Sequence, residues 1–119
     1  MTEFSAYQKG LRGEAQACEY LCQRGMVPLF KRYHSPFGEI DLIMRDGETL
    51  VFVEVKARTR GRAYEGANAV GYEKQRRMIQ TARQYLSEHP DACPIRFDVV
   101  ELTKDGIQHL SNAFEGKEW

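Results

Sequence analysis

Apolar residues recur every three or four positions near the start of the chain, at Tyr7, Leu11, Ala15, Cys18, Leu21 and Cys22. That period predicts one amphipathic helix with these residues along its buried stripe. Ser5 with Gln8 three residues on gives it a capping-box start, and Gly25 a stop. The period then shortens to two. Residues 26–33 (MVPLFKRY) read as a short strand, placed at a sheet edge by Pro28. Residues 38–44 (GEIDLIM) alternate, with Ile40, Leu42 and Met44 on one face. Asp46-Gly47 predicts a hairpin turn into residues 49–57 (TLVFVEVKA), an almost continuously apolar strand of the kind buried on both faces. A glycine-containing loop follows, with Gly61, Gly66 and Gly71. Helical spacing returns from Tyr72 to Glu88, with Met78, Ile79, Ala82, Tyr85 and Leu86 inward and Pro90 just beyond the end. Residues 95–103 and 107–110, split by Asp105-Gly106, read as a last hairpin, after which a polar tail is expected to fray. The order is helix, three strands, helix, two strands, which predicts a mixed sheet with helices packed against it.

The chain has 119 residues, 42% of them hydrophobic and 29% charged, which excludes global disorder and fits one domain over residues 1–119. No apolar run reaches the roughly 18 residues of a membrane span. The start, Met-Thr-Glu-Phe-Ser, lacks the pattern of a signal peptide, so the cytoplasm is the expected location. Cys18 and Cys22 fit a helix stripe better than a disulfide. The three histidines make no zinc spacing with the cysteines.

The formal net charge is zero, with 17 basic and 17 acidic residues. The balance conceals a concentration. Residues 56–83 carry eight basic and two acidic side chains, whereas residues 84–119 carry three basic and seven acidic. A basic segment of this density steers anionic partners, although a solvated helix face has the same composition.

Glu54 and Lys56 interrupt the most apolar strand and share one of its faces, while Val51, Val53 and Val55 take the other. Buried charges are costly unless paired or bound to a metal. A turn at Asp46-Gly47 pairs Arg45 with Glu48, which sets Asp41 opposite Phe52, on the face of Glu54 and diagonal to it. A three-residue loop would turn Asp41 away. Two carboxylates so placed suit a hard divalent cation such as magnesium, whose oxygen ligands lie at about 2.1 Å. An exposed face laced with ion pairs is the open alternative.

The segments Gly38-Glu39-Ile40-Asp41 and Val53-Glu54-Val55-Lys56 resemble the D…ExK core of the PD-(D/E)XK restriction-endonuclease-like superfamily. Together with Gly13-Glu14, Arg58-Thr59-Arg60 and Lys74-Gln75-Arg76-Arg77, they make nearly the whole chain resemble the bacterial YraN family of predicted endonucleases, itself similar to archaeal Holliday-junction resolvases. The superfamily's Pro-Asp pair is absent, with Ile40 before Asp41. The resemblance implies a restriction-endonuclease-like mixed β-sheet flanked by helices, in the order αβββαββ. It implies a nuclease dependent on Mg2+ or Mn2+, with Asp41, Glu54 and the Val55 carbonyl as metal ligands and Lys56 as catalytic lysine. Glu14 would complete the site or serve a second metal, or be a plain helix-surface residue, and Glu39 would be an outer ligand or solvated. Arg58, Arg60, Arg62, Lys74, Arg76 and Arg77 would hold phosphates of a nucleic acid, expected to be DNA, without reading its sequence. Tyr64 and Tyr72 would stack on bases or simply pack. Junction-resolving enzymes are dimers, so the resemblance allows a homodimer. The open alternative on the same fold is a nucleic-acid-binding module without turnover. A third reading is an interaction protein that uses its acidic C-terminal third.

Overall fold

The computed structural model describes residues 3–57, 70–90 and 92–115, the first seven of them by backbone alone. The elements are α1 (Glu3–Gln23), β1 (Val27–Ser35), β2 (Gly38–Asp46), β3 (Thr49–Ala57), α2 (Tyr72–Glu88), β4 (Ile95–Thr103) and β5 (Gly106–Phe114). This is the expected order αβββαββ. The strands form one five-stranded mixed sheet in the order β1-β2-β3-β4-β5. Pairing is antiparallel except between β3 and β4, which run parallel because α2 carries the chain back between them.

Each face of the sheet holds one helix and one apolar cluster. On one side Ala17, Cys18 and Leu21 of α1 meet Leu42, Met44, Val51, Val53 and Val100. On the other, Met78, Ile79, Ala82 and Tyr85 of α2 meet Ile43, Leu50, Phe52, Phe97 and Val99. β3 lies at the centre, with Val51, Phe52 and Val53 wholly buried, as its unbroken apolar run requires. Among the described residues no helix is long and apolar enough to cross a membrane.

The buried stripe of α1 is rotated from the expected one. Ala17, Cys18 and Leu21 face the sheet, but Leu11, Ala15 and Cys22 are exposed. Gly13 takes the place of a larger residue, since a Cβ there would come within 3.1 Å of Leu102 Cδ1. Close approach of helix to sheet, rather than apolar content, selects this face. All three cysteines are free. The stop at Gly25 is a Schellman motif: Gly25 N–H donates to Cys22 O and Met26 N–H to Leu21 O, with Gly25 at φ +95° and Met26 packed in the same cluster as Leu21.

The β2–β3 turn consists of Gly47 and Glu48, not Asp46 and Gly47. Asp46 pairs with Thr49 and Arg45 with Leu50, and Gly47 takes a φ of +61°. Each pairing is displaced by two from the expected register, which leaves the paired side chains of residues 42–46 and 49–53 on their expected faces. β5 also runs four residues past Leu110, and Ala113 and Phe114 are buried in the α2-side core rather than frayed.

That extension depends on Asp98, which is fully buried on β4 opposite a bulge in β5. Its Oδ1 accepts from Arg96 Nε at 2.9 Å and from the N–H of Asn112 at 2.9 Å, where Asn112 has a φ of +54°. Its Oδ2 accepts from Arg96 Nη2 at 3.0 Å and pairs with His109 Nε2 at 2.7 Å. Burial alone would raise the pKa of Asp98, but the bonds from His109, Arg96 and Asn112 outweigh it and hold the carboxyl below its ordinary value. The stability it contributes is present at neutral pH and lost as pH falls through that depressed value.

Two outcomes test this description. Gly25→Ala meets no neighbouring atom, so its cost is conformational. It should lower the urea midpoint by the equivalent of about 1 kcal/mol with an unchanged m-value. Asp98→Ala leaves Arg96 without its buried partner and should cost about 3 kcal/mol or more in the same measurement.

Candidate active site

Glu54 marks the place where β3 loses a neighbour. Pairing between β2 and β3 ends at Leu42↔Val53. β3 stays bonded to β4 as far as Ala57↔Leu102, and β2 to β1 as far as Ser35↔Gly38. The two strands therefore fork, and main-chain groups of β3 on that edge need other partners. Asp41 supplies one, its Oδ2 accepting from the N–H of Val55 at 2.8 Å. In an extended strand the N–H and C=O of one residue point to the same edge, so the Val55 carbonyl also faces the fork.

β2 rotates at Asp41. Leu42 and Met44 pack toward α1, but Ile40 packs toward α2, which corrects the expectation that all three share a face. Across the ladder Arg32 lies between the pairs Lys31↔Leu42 and Tyr33↔Ile40 and has a φ of +54°. Such a conformation is uncommon for a residue with a side chain. It accompanies an ion pair, with Arg32 Nε donating to Glu14 Oε1 of α1 at 2.8 Å. The rotation opens the fork to α1 on one side and to α2 on the other.

The carboxyl groups of Asp41 and Glu54 meet in the fork. Glu54 is only 6% exposed, and its Oε1 has no hydrogen-bond partner among the described residues. Its Oε2 lies 3.4 Å from Lys74 Nζ, on the first turn of α2. Burial and then the charge of Glu54 push Asp41 up to about 7, against the opposing pull of the Val55 N–H and Lys74. When protonated, Asp41 hydrogen-bonds to Glu54. Glu14 stands at the rim. Burial raises its pKa, the Arg32 hydrogen bond lowers it, and the charges of Asp41 and Glu39 raise it further. Glu39 lies 3.8 Å from His34 Nε2, and its Oε1 has no hydrogen-bond partner among the described residues.

Asp41, Glu54 and Val55 are thus brought together, with Glu14 beside them but tied to Arg32. Lys56, half-buried and two residues beyond Glu54, points to the same face of β3 and has no ion-pair partner among the described residues. Arg76 and Arg77 are exposed on α2, whereas Lys74 is engaged with Glu54. Arg58, Arg60, Arg62 and Tyr64 lie outside the described residues. Among the described residues no three His, Cys, Asp or Glu side chains are arranged to hold a metal. The candidate donor set is therefore two carboxylates and a carbonyl.

Two residues at the site escape the sequence reading. Glu101, fully buried, is the register partner of Lys56 on β4 and shares its face. Its signal is the one that exposed Glu54, a carboxylate inside an apolar run, here Val99-Val100-Glu101-Leu102. Arg32 carries no such signal, because its role comes from a backbone conformation.

The charge on Asp41 is opposed by the fold, so the sign of its pH effect is opposite to that of Asp98. Its folded pKa lies above its unfolded one, and stability falls as pH rises from the ordinary carboxyl range through about 7. Asp41→Asn keeps an acceptor for the Val55 N–H and removes the repulsion. In chelator at pH 8 it should raise the melting temperature by roughly 3–6 °C, the shift that about 1 kcal/mol gives in a domain of this size. The gain should vanish toward pH 4.

Comparison with known proteins agrees with the resemblance read from the motifs. Residues 13–102 match the uncharacterised protein family UPF0102. A UPF0102 protein of Nitrosomonas europaea is 42% identical over 114 residues, covering 93% of this chain and 97% of its own. One from Nitrosococcus oceani is 43% identical over 112 residues, covering 89% and 90%. One from Thermodesulfovibrio yellowstonii is 38% identical over 105 residues, covering 88% and 94%. The matched segment contains Glu14, Asp41, Glu54, Lys56 and the whole of α2, and the chain belongs to UPF0102, the YraN family.

Proposed function

We propose that this protein is a divalent-metal-dependent nuclease that hydrolyses phosphodiester bonds in DNA, with branched or junction DNA as the substrate class to examine first. One observation carries the reading: the carboxyls of Asp41 and Glu54 are held together in a fork, with Lys74 against one Glu54 oxygen and the other, buried, without a hydrogen-bond partner among the described residues. Packing alone gives no reason to keep such a pair, since an apolar pair would fill the space at lower cost. A hard cation answers each feature, because it takes oxygen ligands and neutralises both charges.

Asp41, Glu54 and the Val55 carbonyl would hold Mg2+ or Mn2+. The ion would supply Lewis acidity and activate the water nucleophile. The chain's own groups do the rest. The Val55 N–H fixes the Asp41 carboxylate, so that it is positioned before any ligand arrives. Lys56 carries a cation on the face of Glu54, where it orients the attacking water and stabilises charge on the scissile phosphate. Arg76 and Arg77 hold flanking phosphates from the exposed surface of α2, and Arg58, Arg60 and Arg62 continue from the end of β3 in sequence. Such contacts position the backbone and carry no base information.

The test incubates purified protein with duplex, flap and four-way-junction DNA in Mg2+ or Mn2+. Cleavage is expected with at least one substrate. Glu54→Gln and Lys56→Ala should each lower its rate by about 100-fold or more while DNA binding persists. Binding with no cleavage of any substrate by the wild type would leave a binding module in place of an enzyme.

A further inference from the structure

We infer that Lys74 is the resident counter-cation of Glu54, displaced by an entering divalent ion and thereby released to hold a phosphate. This deepens the proposed function and rests on it for the metal site. The sequence reading set Lys74 among the phosphate-binding cations with Arg76 and Arg77. The structure separates them. Arg76 and Arg77 are exposed, whereas Lys74 Nζ lies 3.4 Å from Glu54 Oε2.

The location is an unusual one for a lysine. Lys74 is the third residue of α2, whose first turn is the positive end of the helix dipole and disfavours cations. The N-cap of that helix is Gly71, which has no side chain to cap it. What offsets the position is Glu54, whose side chain is 8% exposed while that of Lys74 is 40% exposed. The lysine therefore reaches from the solvent side onto a buried carboxylate. An ammonium on a four-carbon stem with rotatable donors suits that reach and also suits leaving it.

A divalent ion between Asp41 and Glu54 would meet the same carboxylate. Two cations cannot share it without repulsion, so the ion and Lys74 compete. Once displaced, Lys74 keeps its place at a positive helix end, where its ammonium and the helix dipole both favour a phosphate. The two events are linked, and linkage is reciprocal: the metal raises affinity for phosphate, and phosphate raises affinity for the metal. The protein without metal thus keeps one of its phosphate ligands occupied internally.

The test uses full-length protein, Lys74→Gln and Glu54→Gln, each shown to be folded by circular dichroism. Mn2+ is titrated by calorimetry, and affinity for a short DNA duplex is measured by anisotropy with and without Ca2+. Lys74→Gln should bind Mn2+ about fivefold more tightly than wild type. It should also lose most of the Ca2+-dependent gain in DNA affinity that wild type displays, and Glu54→Gln should lose Mn2+ binding. If wild type binds Mn2+ and Lys74→Gln binds it equally or less well, the displacement is wrong and the metal site stands. An undiminished Ca2+-dependent gain in Lys74→Gln would overturn the release to phosphate. If neither wild type nor Lys74→Gln binds Mn2+, this inference falls together with the reading beneath it.

Discussion

Repulsion between two carboxylates in a poorly solvated fork is the constraint around which the rest of the site is arranged. A lone buried carboxylate can be left neutral, but a pair that meets must share a proton, a cation or both. Here each resource is visible in part. Asp41 retains its proton up to about 7, the Val55 N–H fixes one of its oxygens, and Lys74 stands against Glu54. The second oxygen of Glu54 has no hydrogen-bond partner among the described residues. The site is better described as an electrostatic deficit with a defined location than as a completed network.

The deficit is created by the sheet. A continuous β2–β3 ladder would bury the main chain of Val55 against β2 and leave no opening. The ladder stops after Leu42↔Val53, and the rotation at Asp41 turns the carboxylate into the gap. Arg32 accompanies that rotation with its left-handed backbone and holds Glu14 of α1 at the rim. The sheet supports the opposite chemistry at Asp98, where four donors converge on a wholly buried carboxylate and leave it satisfied. The contrast between a saturated Asp98 and an unsaturated Glu54 separates a structural charge from a candidate functional one.

Much of this was legible in the sequence. Alternation in TLVFVEVKA put Glu54 and Lys56 on one face, and a two-residue turn carried Asp41 to it. The turn lies one residue later than its Asp-Gly signal indicates, yet a slip of two in register preserves faces, so Asp41 and Glu54 still meet. The stripe of α1 was misread because Gly13 packs by having no side chain, a property that hydrophobic spacing does not record. The end of β5 was missed because Asn112 and the bulge beside it look like tail chemistry until Asp98 is placed against them. The fork itself leaves no mark in the pattern. It is an event between strands, and alternation describes one strand at a time.

The mixed pairing of the sheet has a consequence for the order in which the molecule assembles. β2 and β3 are joined by two residues, so their ladder and the two carboxylates at its end form through local contacts. Lys74 and β4 reach β3 only after the chain has crossed from Ala57 to Tyr72 and returned through α2, a far less local closure. Pairing of that kind is slow, because chain entropy is lost before any contact is gained. The carboxylates are thus expected to come together before their lysine arrives, when water still surrounds them and screens their repulsion. On that order, desolvation of Glu54 and the arrival of Lys74 are expected together, at the docking of α2. The cost of the site is in this way placed on the final approach to the native state and not on its nucleation.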